Sequence, residues 1–436
     1  MTLLIIFFAI VFQVFLTAKK VSPFLSLILV AILSGMMLGM EPAAIIQSME
    51  KGVGSTLGSL ALIICLGAIL GKILEESGAA ERITSTLISK FGENNIQWAI
   101  MLTGFLVGIP LYYNAGFVIL VPLVFSLARK TGVSLLYIAI PMAAALSTTH
   151  CFLPPHPGPV FLVNAFKADL GKTLVYGMII TIPVVVLAGP ILGGFFKNIK
   201  TILPEQSPQS KERAVDSLPA ALPSFLIALL PVILITVSVV ANSFLPDNWF
   251  KKALLFLGDA NIALLVSVML AIYFFGVKKG ESMDTTMKWL HDAISGISVI
   301  LLIITAGGVF KQVLTDSGTA DYISSFSSQW QMPPLLFAWI ITALLRVTIG
   351  SATVAGITAA GVVSPIVLAG QVSPELMVLA VGTGSVFGSH INDTGFWMFK
   401  EFFNLTLRQT FQSWTLMETL ISILGLIGVL ILDVFI

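Results

Sequence analysis

Apolar runs long enough to cross a bilayer recur from one end of this chain to the other, and nothing else limits its fold so tightly. Ser22–Met40, Met178–Phe196 and Ile262–Gly276 are three of them. A helix needs about 20 apolar residues to span a hydrocarbon core of ~30 Å. Backbone at that depth must satisfy its own hydrogen bonds, which a helix does. Only 10% of the 436 residues are charged, against about 25% in a soluble domain. The expected product is an all-α polytopic membrane protein. A net charge of +1 gives no electrostatic case for nucleic acid. Cys65 and Cys151 both lie in apolar runs, which excludes a disulfide framework and a CxxC metal site. Leu3–Phe15 has no basic residue before it, Lys19 and Lys20 after it, and no small-residue cleavage site. It reads as a retained first span with its N-terminus outside.

The chain repeats itself. Leu74-Glu75-Glu76-Ser77-Gly78 parallels Leu314-Thr315-Asp316-Ser317-Gly318 at an offset of 240, Val133-Ser134 parallels Val372-Ser373 at 239, and Gly158, Leu170 and Thr173 parallel Gly395, Leu407 and Thr410 at 237. The slow drift indicates small insertions and deletions. The polar stretch Lys197–Ser217 separates the halves and reads as a linker. The division is a first repeat at 1–196, a cytoplasmic linker at 197–221 and a second repeat at 222–436.

Each half has the same order of parts. Spans are expected at 3–18, 22–41 and 54–74, and again at 223–245, 259–276 and 292–314. A short amphipathic segment follows, with Ala80, Ile83, Leu87 and Phe91 on its apolar face in half one and Ala320, Ile323, Phe326 and Trp330 in half two. That spacing suits a helix in the interface plane. Next comes an apolar stretch interrupted near its middle, at Pro110–Asn114 in half one and at Arg346–Thr353 in half two. Arms of about 15 residues reach roughly 22 Å, too short to cross, so each stretch reads as a re-entrant hairpin. A span broken at Ser147–Pro159, or at Gly388–Gly395, follows, and one closing span ends each half.

Five spans per half force the second half to insert upside down. The positive-inside rule agrees: of the 23 lysines and arginines, sixteen fall on the cytoplasmic side, six outside, and Arg346 within the second hairpin. Both termini are then external. Inverted repeats with discontinuous helices place their site at the midplane, so the two tips and two breaks should converge. Free N–H groups at half-helix starts favour an anionic substrate there.

The ionisable residues cluster accordingly. His150, His156, His390 and Asp393 lie in the breaks, and such groups inside a membrane mark function. Two roles are open for Asp393: proton uptake, or a buried carboxylate capping a half-helix. Arg346 either holds a substrate carboxylate through bidentate pairing or serves as an internal partner for an acid. Asn114, Tyr113, Thr149, His150, Arg346, Ser351, Thr353, His390 and Asn392 are the candidate substrate contacts, with Asp393 and His156 as candidate proton carriers. His150 and His156 lack the HExxH arrangement and have prolines between them, and the Gly-rich piece Gly382–Gly388 lacks a Walker lysine. Metal catalysis and ATP-driven pumping are therefore not expected, and neither is a cofactor. The longest hydrophilic stretch, about 20 residues, leaves no room for a soluble catalytic or sensory domain, so the chain is not expected to be an enzyme.

Phe152-Leu153-Pro154-Pro155-His156-Pro157-Gly158-Pro159 and Asn392-Asp393-Thr394-Gly395-Phe396-Trp397, with Gly52–Ile63 and Gly350–Ala355, resemble the gluconate permease (gluconate:proton symporter) family nearly end to end. The resemblance implies proton-coupled uptake of gluconate or a related hydroxy-acid, D-serine in some relatives, a bacterial inner membrane, and the ion-transporter superfamily fold. It also implies a homodimer with a scaffold and a mobile, elevator-type domain. A sodium-coupled carboxylate carrier of the same fold is the alternative. One departure stands out. Where many relatives carry an acid after the aromatic pair at tip one, Asn114 follows Tyr112-Tyr113 here, which leaves Asp393 or a histidine to carry the proton.

Overall fold

The computed structural model describes residues 2–92, 95–199, 217–318, 332–370 and 372–436, and every regular element among them is a helix. Half one comprises α1 (Thr2–Ala18), α2 (Pro23–Met37), α3 (Pro42–Glu76), α4 (Ala79–Phe91), the hairpin α5 (Ile96–Gly108) and α6 (Tyr113–Thr131), the broken pair α7 (Leu135–Phe152) and α8 (Pro157–Phe166), and α9 (Leu170–Gly194). Half two comprises α10 (Ala221–Phe244), α11 (Trp249–Leu257), α12 (Ala260–Lys279), α13 (Met283–Asp316), the hairpin α14 (Pro334–Ile349) and α15 (Ala352–Leu368), the broken pair α16 (Pro374–Gly384) and α17 (Thr394–Phe402), and α18 (Leu407–Asp433). Among the described residues, long helices, a hairpin, a broken pair and a closing helix follow in the same order in both halves. The short helix α11 is an addition that periodicity did not reveal. The second amphipathic segment and most of the linker lie outside the described residues.

Seven helices among the described residues are long and apolar enough to cross a membrane. The surface agrees with lipid contact, since Ile182, Met269 and Val299 are exposed large apolar side chains on them. Inside, polar groups turn back on their own helices. Thr84, Thr103, Thr148 and Ser267 each donate to the carbonyl four residues earlier, which removes the cost of burying a hydroxyl.

Two boundaries differ from expectation. The third span of each half is not a segment of about 20 residues but a helix of 35 (α3) or 34 (α13). At 1.5 Å per residue each is about 50 Å long, well beyond the apolar core. Sequence hydropathy saw only the apolar part. The polar turns before it, such as Gln47–Lys51, hold no proline and continue the helix. Ser282 starts α13 by accepting the Thr285 N–H, and Gly78, in the left-handed region, follows α3. α3 and α13 pack against each other more extensively than any other pair. They can do so because a Cβ on Gly52 would meet the Gly308 carbonyl. The first span has its expected bounds to within a residue, while the second is shorter than expected, at 15 residues. α4 buries Ala80, Ile83 and Leu87 as its spacing implied, while Phe91 stays exposed.

The hairpin arms contain 13, 19, 16 and 17 residues. Gly350 turns hairpin two with φ of +83°, and a side chain there would meet the Asn392 carbonyl of the neighbouring break. Gly350→Ala is therefore expected to cost stability by at least ~1 kcal/mol from the left-handed backbone alone, read as a lowered melting temperature of the purified protein. An unchanged melting temperature would mean that the tip is not held in this turn.

Candidate functional site

Four half-helices begin on the wall of one cavity of about 530 Å3. α6 contributes Tyr113, Asn114 and Ala115, α8 contributes Pro157, α15 contributes Ala352, Thr353 and Val354, and α17 contributes Thr394 and Gly395. Three of these starts are set locally. Pro157 occupies the first turn of α8, where no N–H is needed. Ser351 caps α15 by accepting the Val354 N–H, and Asp393 caps α17 by accepting the Gly395 N–H at 3.0 Å. The positive ends of four helices thus face one space, and each favours negative charge. α3, α13 and α18 complete the wall, with Ala68, Gly71 and Lys72, with Gly296 and Ile300, and with Trp414 and Glu418. Gly71 is small because a Cβ would meet the Pro110 carbonyl of tip one.

The charge at the centre is an ion pair. Arg346 Nη2 donates to Asp393 Oδ2 at 2.5 Å, with the two side chains 3% and 12% exposed. Ser389 also donates to Asp393 Oδ2 and receives the Trp414 Nε1–H at 2.8 Å. Asp393 thus caps α17 and pairs with Arg346, contacts that leave proton uptake and substrate binding open. The pair does not exhaust the arginine, however. Arg346 lines the cavity, and its Nε and Nη1 are buried without a hydrogen-bond partner, so an anion in the cavity reaches them only through a shift of the side chain.

The histidines form a relay behind tip one. His156 Nε2 donates to the Gly108 carbonyl at 2.8 Å, and the two Nδ1 atoms of His150 and His156 are 3.3 Å apart. A carbonyl only accepts, so neutral His156 presents its bare Nδ1 to the Nδ1–H of His150. His150 reaches the cavity. His156 is buried behind it and orients it. Tyr112 packs against both rings and donates to the Ile64 carbonyl of α3.

Asn114, Tyr113, His150, Arg346, Ser351, Thr353 and Asp393 line the cavity. Thr149, His390, Asn392 and His156 do not. Thr149 is buried and bonds to the Ala145 and Leu146 carbonyls. His390 bonds to the Gly388 carbonyl, and Asn392 donates to the Val347 and Thr348 carbonyls, clasping the end of α14. These four hold the tips and breaks in shape. The residue that sequence reasoning missed is Glu418. It is 2% exposed, lines the cavity, and has one carboxylate oxygen, Oε1, without a partner. A lone acid one turn into the apolar run Leu416–Val429 was the available signal.

Hairpins and broken helices wall a cavity with polar and charged groups inside an apolar helical body, the arrangement of a membrane transporter. The chain belongs to the GntP family permeases, whose family description matches residues 1–435. It is 49% identical over 418 residues to the high-affinity gluconate transporter of Escherichia coli (strain K12), covering 96% of this chain and 95% of that one. It is 46% identical to the Gnt-II system L-idonate transporter of the same organism, covering 95% and 94%, and 41% identical to the gluconate permease of Bacillus subtilis (strain 168), covering 95% of each. Among solved structures it resembles the Alcanivorax borkumensis YdaH transporter, with a TM-score of 0.71 at 14% identity over 97% of this chain and 98% of that one. That likeness shows the fold alone.

Proposed function

We propose that this permease takes up gluconate or a closely related sugar acid by symport with protons, through an elevator-type movement of the hairpins and broken helices. The observation that carries the reading is the convergence of four half-helix N-termini and of Arg346, whose Nε and Nη1 have no partner, on one cavity. A carboxylate fits that field, and the cavity volume lies in the range of small-molecule sites. Asn114, Ser351 and Thr353 offer the amide and hydroxyl groups that a polyhydroxy chain requires. Relatives named for gluconate and L-idonate support the substrate class. Two inverted repeats with both termini outside belong to the same proposal, supported by the repeat and by the lysine and arginine distribution, and so do a homodimer and a bacterial inner membrane, which the family resemblance implies.

Purified protein in sealed vesicles tests it. An inward proton gradient should drive gluconate above equilibrium, and a protonophore should abolish the accumulation. Accumulation that follows a sodium gradient at constant pH would favour the sodium-coupled alternative. Equilibration without accumulation would identify a passive facilitator.

A further inference from the structure

The mechanism above leaves one buried carboxylate unused. Glu418 projects from α18 one turn after a π-helical turn, Phe411–Thr415, a feature frequent at functional sites. Ser147 of α7 is its hydrogen-bond partner, and Oε1 has none. The ionisable groups acting on it or sharing its surroundings come from several elements: Arg346 of α14, Asp393 before α17, Cys151 of α7 and Tyr113 of α6. Neither α9 nor α16, which also pack against α18, adds a charged group to those acting on it. Asp393 is held by Arg346, Ser389 and the Gly395 N–H. Glu418 is the cavity carboxylate whose bonding is incomplete.

We propose that Glu418 takes up and releases the coupling proton, and that Arg346 links its charge to that of the substrate. The inference rests on the reading of the chain as a proton-coupled anion symporter. Its logic is charge conservation. With Glu418 ionised, the empty group of Arg346, Asp393 and Glu418 carries one net negative charge. With Glu418 protonated and a monocarboxylate bound, it carries the same one. The anion without the proton would double that charge inside a low-dielectric wall, where like charges repel strongly. Lys72, Glu75 and Asp292 on the cavity wall add a constant to every state. The proton enters the carboxylate from the outer solution, forming the O–H bond of the acid, and leaves from the same oxygen to the inner solution, so nothing else is consumed.

Glu418→Gln mimics the protonated form and provides the test. Full-length wild-type and variant proteins are placed in sealed vesicles, and two rates are read: gluconate exchange at equal concentrations, and accumulation driven by a proton gradient. The variant is expected to exchange gluconate within severalfold of wild type, with exchange insensitive to pH, and to lose driven accumulation. A merely structural role would lower both rates together and keep the pH dependence. Variant accumulation equal to wild type overturns the assignment. Wild-type protein that exchanges gluconate but ignores a proton gradient would overturn the coupling itself, and the assignment with it. Should the variant fail to insert, wild-type protein treated with dicyclohexylcarbodiimide is analysed by peptide mass spectrometry. Labelling at Glu418 that falls as pH rises supports the proposal. The absence of labelling at any pH from mildly acidic to alkaline overturns it.

Discussion

Arg346→Lys is expected to weaken gluconate binding roughly thirtyfold while leaving the protein folded. Lysine keeps a positive charge beside Asp393, so the buried acid is not stranded. It cannot present donors on two sides of a planar group. The wild-type guanidinium gives Nη2 to Asp393 and leaves Nε and Nη1 unpartnered. Losing one charge-assisted bond to the substrate costs about 2 kcal/mol, and each 1.4 kcal/mol is about tenfold in affinity. Calorimetric titration of detergent-purified protein measures it. Affinity unchanged in the lysine variant would remove Arg346 from the substrate site and leave it a structural partner only.

Asp393→Asn should behave quite differently from Glu418→Gln, although both replace a buried acid by its amide. Asparagine still caps α17, since its side-chain oxygen accepts the Gly395 N–H. The ion pair is gone, and Arg346 is left buried and uncompensated. Breaking such a pair costs about 3 kcal/mol or more, so a marked fall in melting temperature is expected, with exchange and accumulation lost together. If Asp393 carried the proton instead, as the sequence first suggests, its amide would imitate the protonated state. It would then keep stability and exchange and lose only accumulation. The two variants measured side by side decide which carboxylate does which task.

Much of this was readable before any coordinates. The repeat located both hairpins and both breaks, and the ends of the interrupting segments fall within a few residues of the half-helix starts. Helix-breaking residues are local signals, and they survive in any tertiary context. Side-chain direction is not local. His390 and Asn392 stand in the correct break, yet both bond to nearby backbone, because an irregular turn between two half-helices has its own unsatisfied carbonyls to settle first. His156, a candidate proton carrier, lies buried behind His150 and off the cavity wall. That Asp393 and Arg346 pair with each other was not legible, because only their mutual distance shows it.

Glu418 shows the opposite failure. It sits in a closing span that hydropathy treats as featureless, and at the repeat offset of 237 its counterpart is Thr181, so the symmetry argument gave no warning. A carboxylate in an apolar helix is informative by itself, and the asymmetry between the two closing spans is where the halves diverge chemically. The long helices α3 and α13 were underestimated for a related reason. Hydropathy measures where lipid ends, while a helix ends only where capping or a left-handed residue stops it.

The direct measurement is a structure of the full chain with gluconate bound. The carboxylate should lie among the starts of α6, α8, α15 and α17, within hydrogen-bond distance of Arg346, with hydroxyls toward Asn114, Ser351 or Thr353. A gluconate carboxylate resting away from Arg346 and from all four helix starts would contradict the assignment of this cavity as the substrate site.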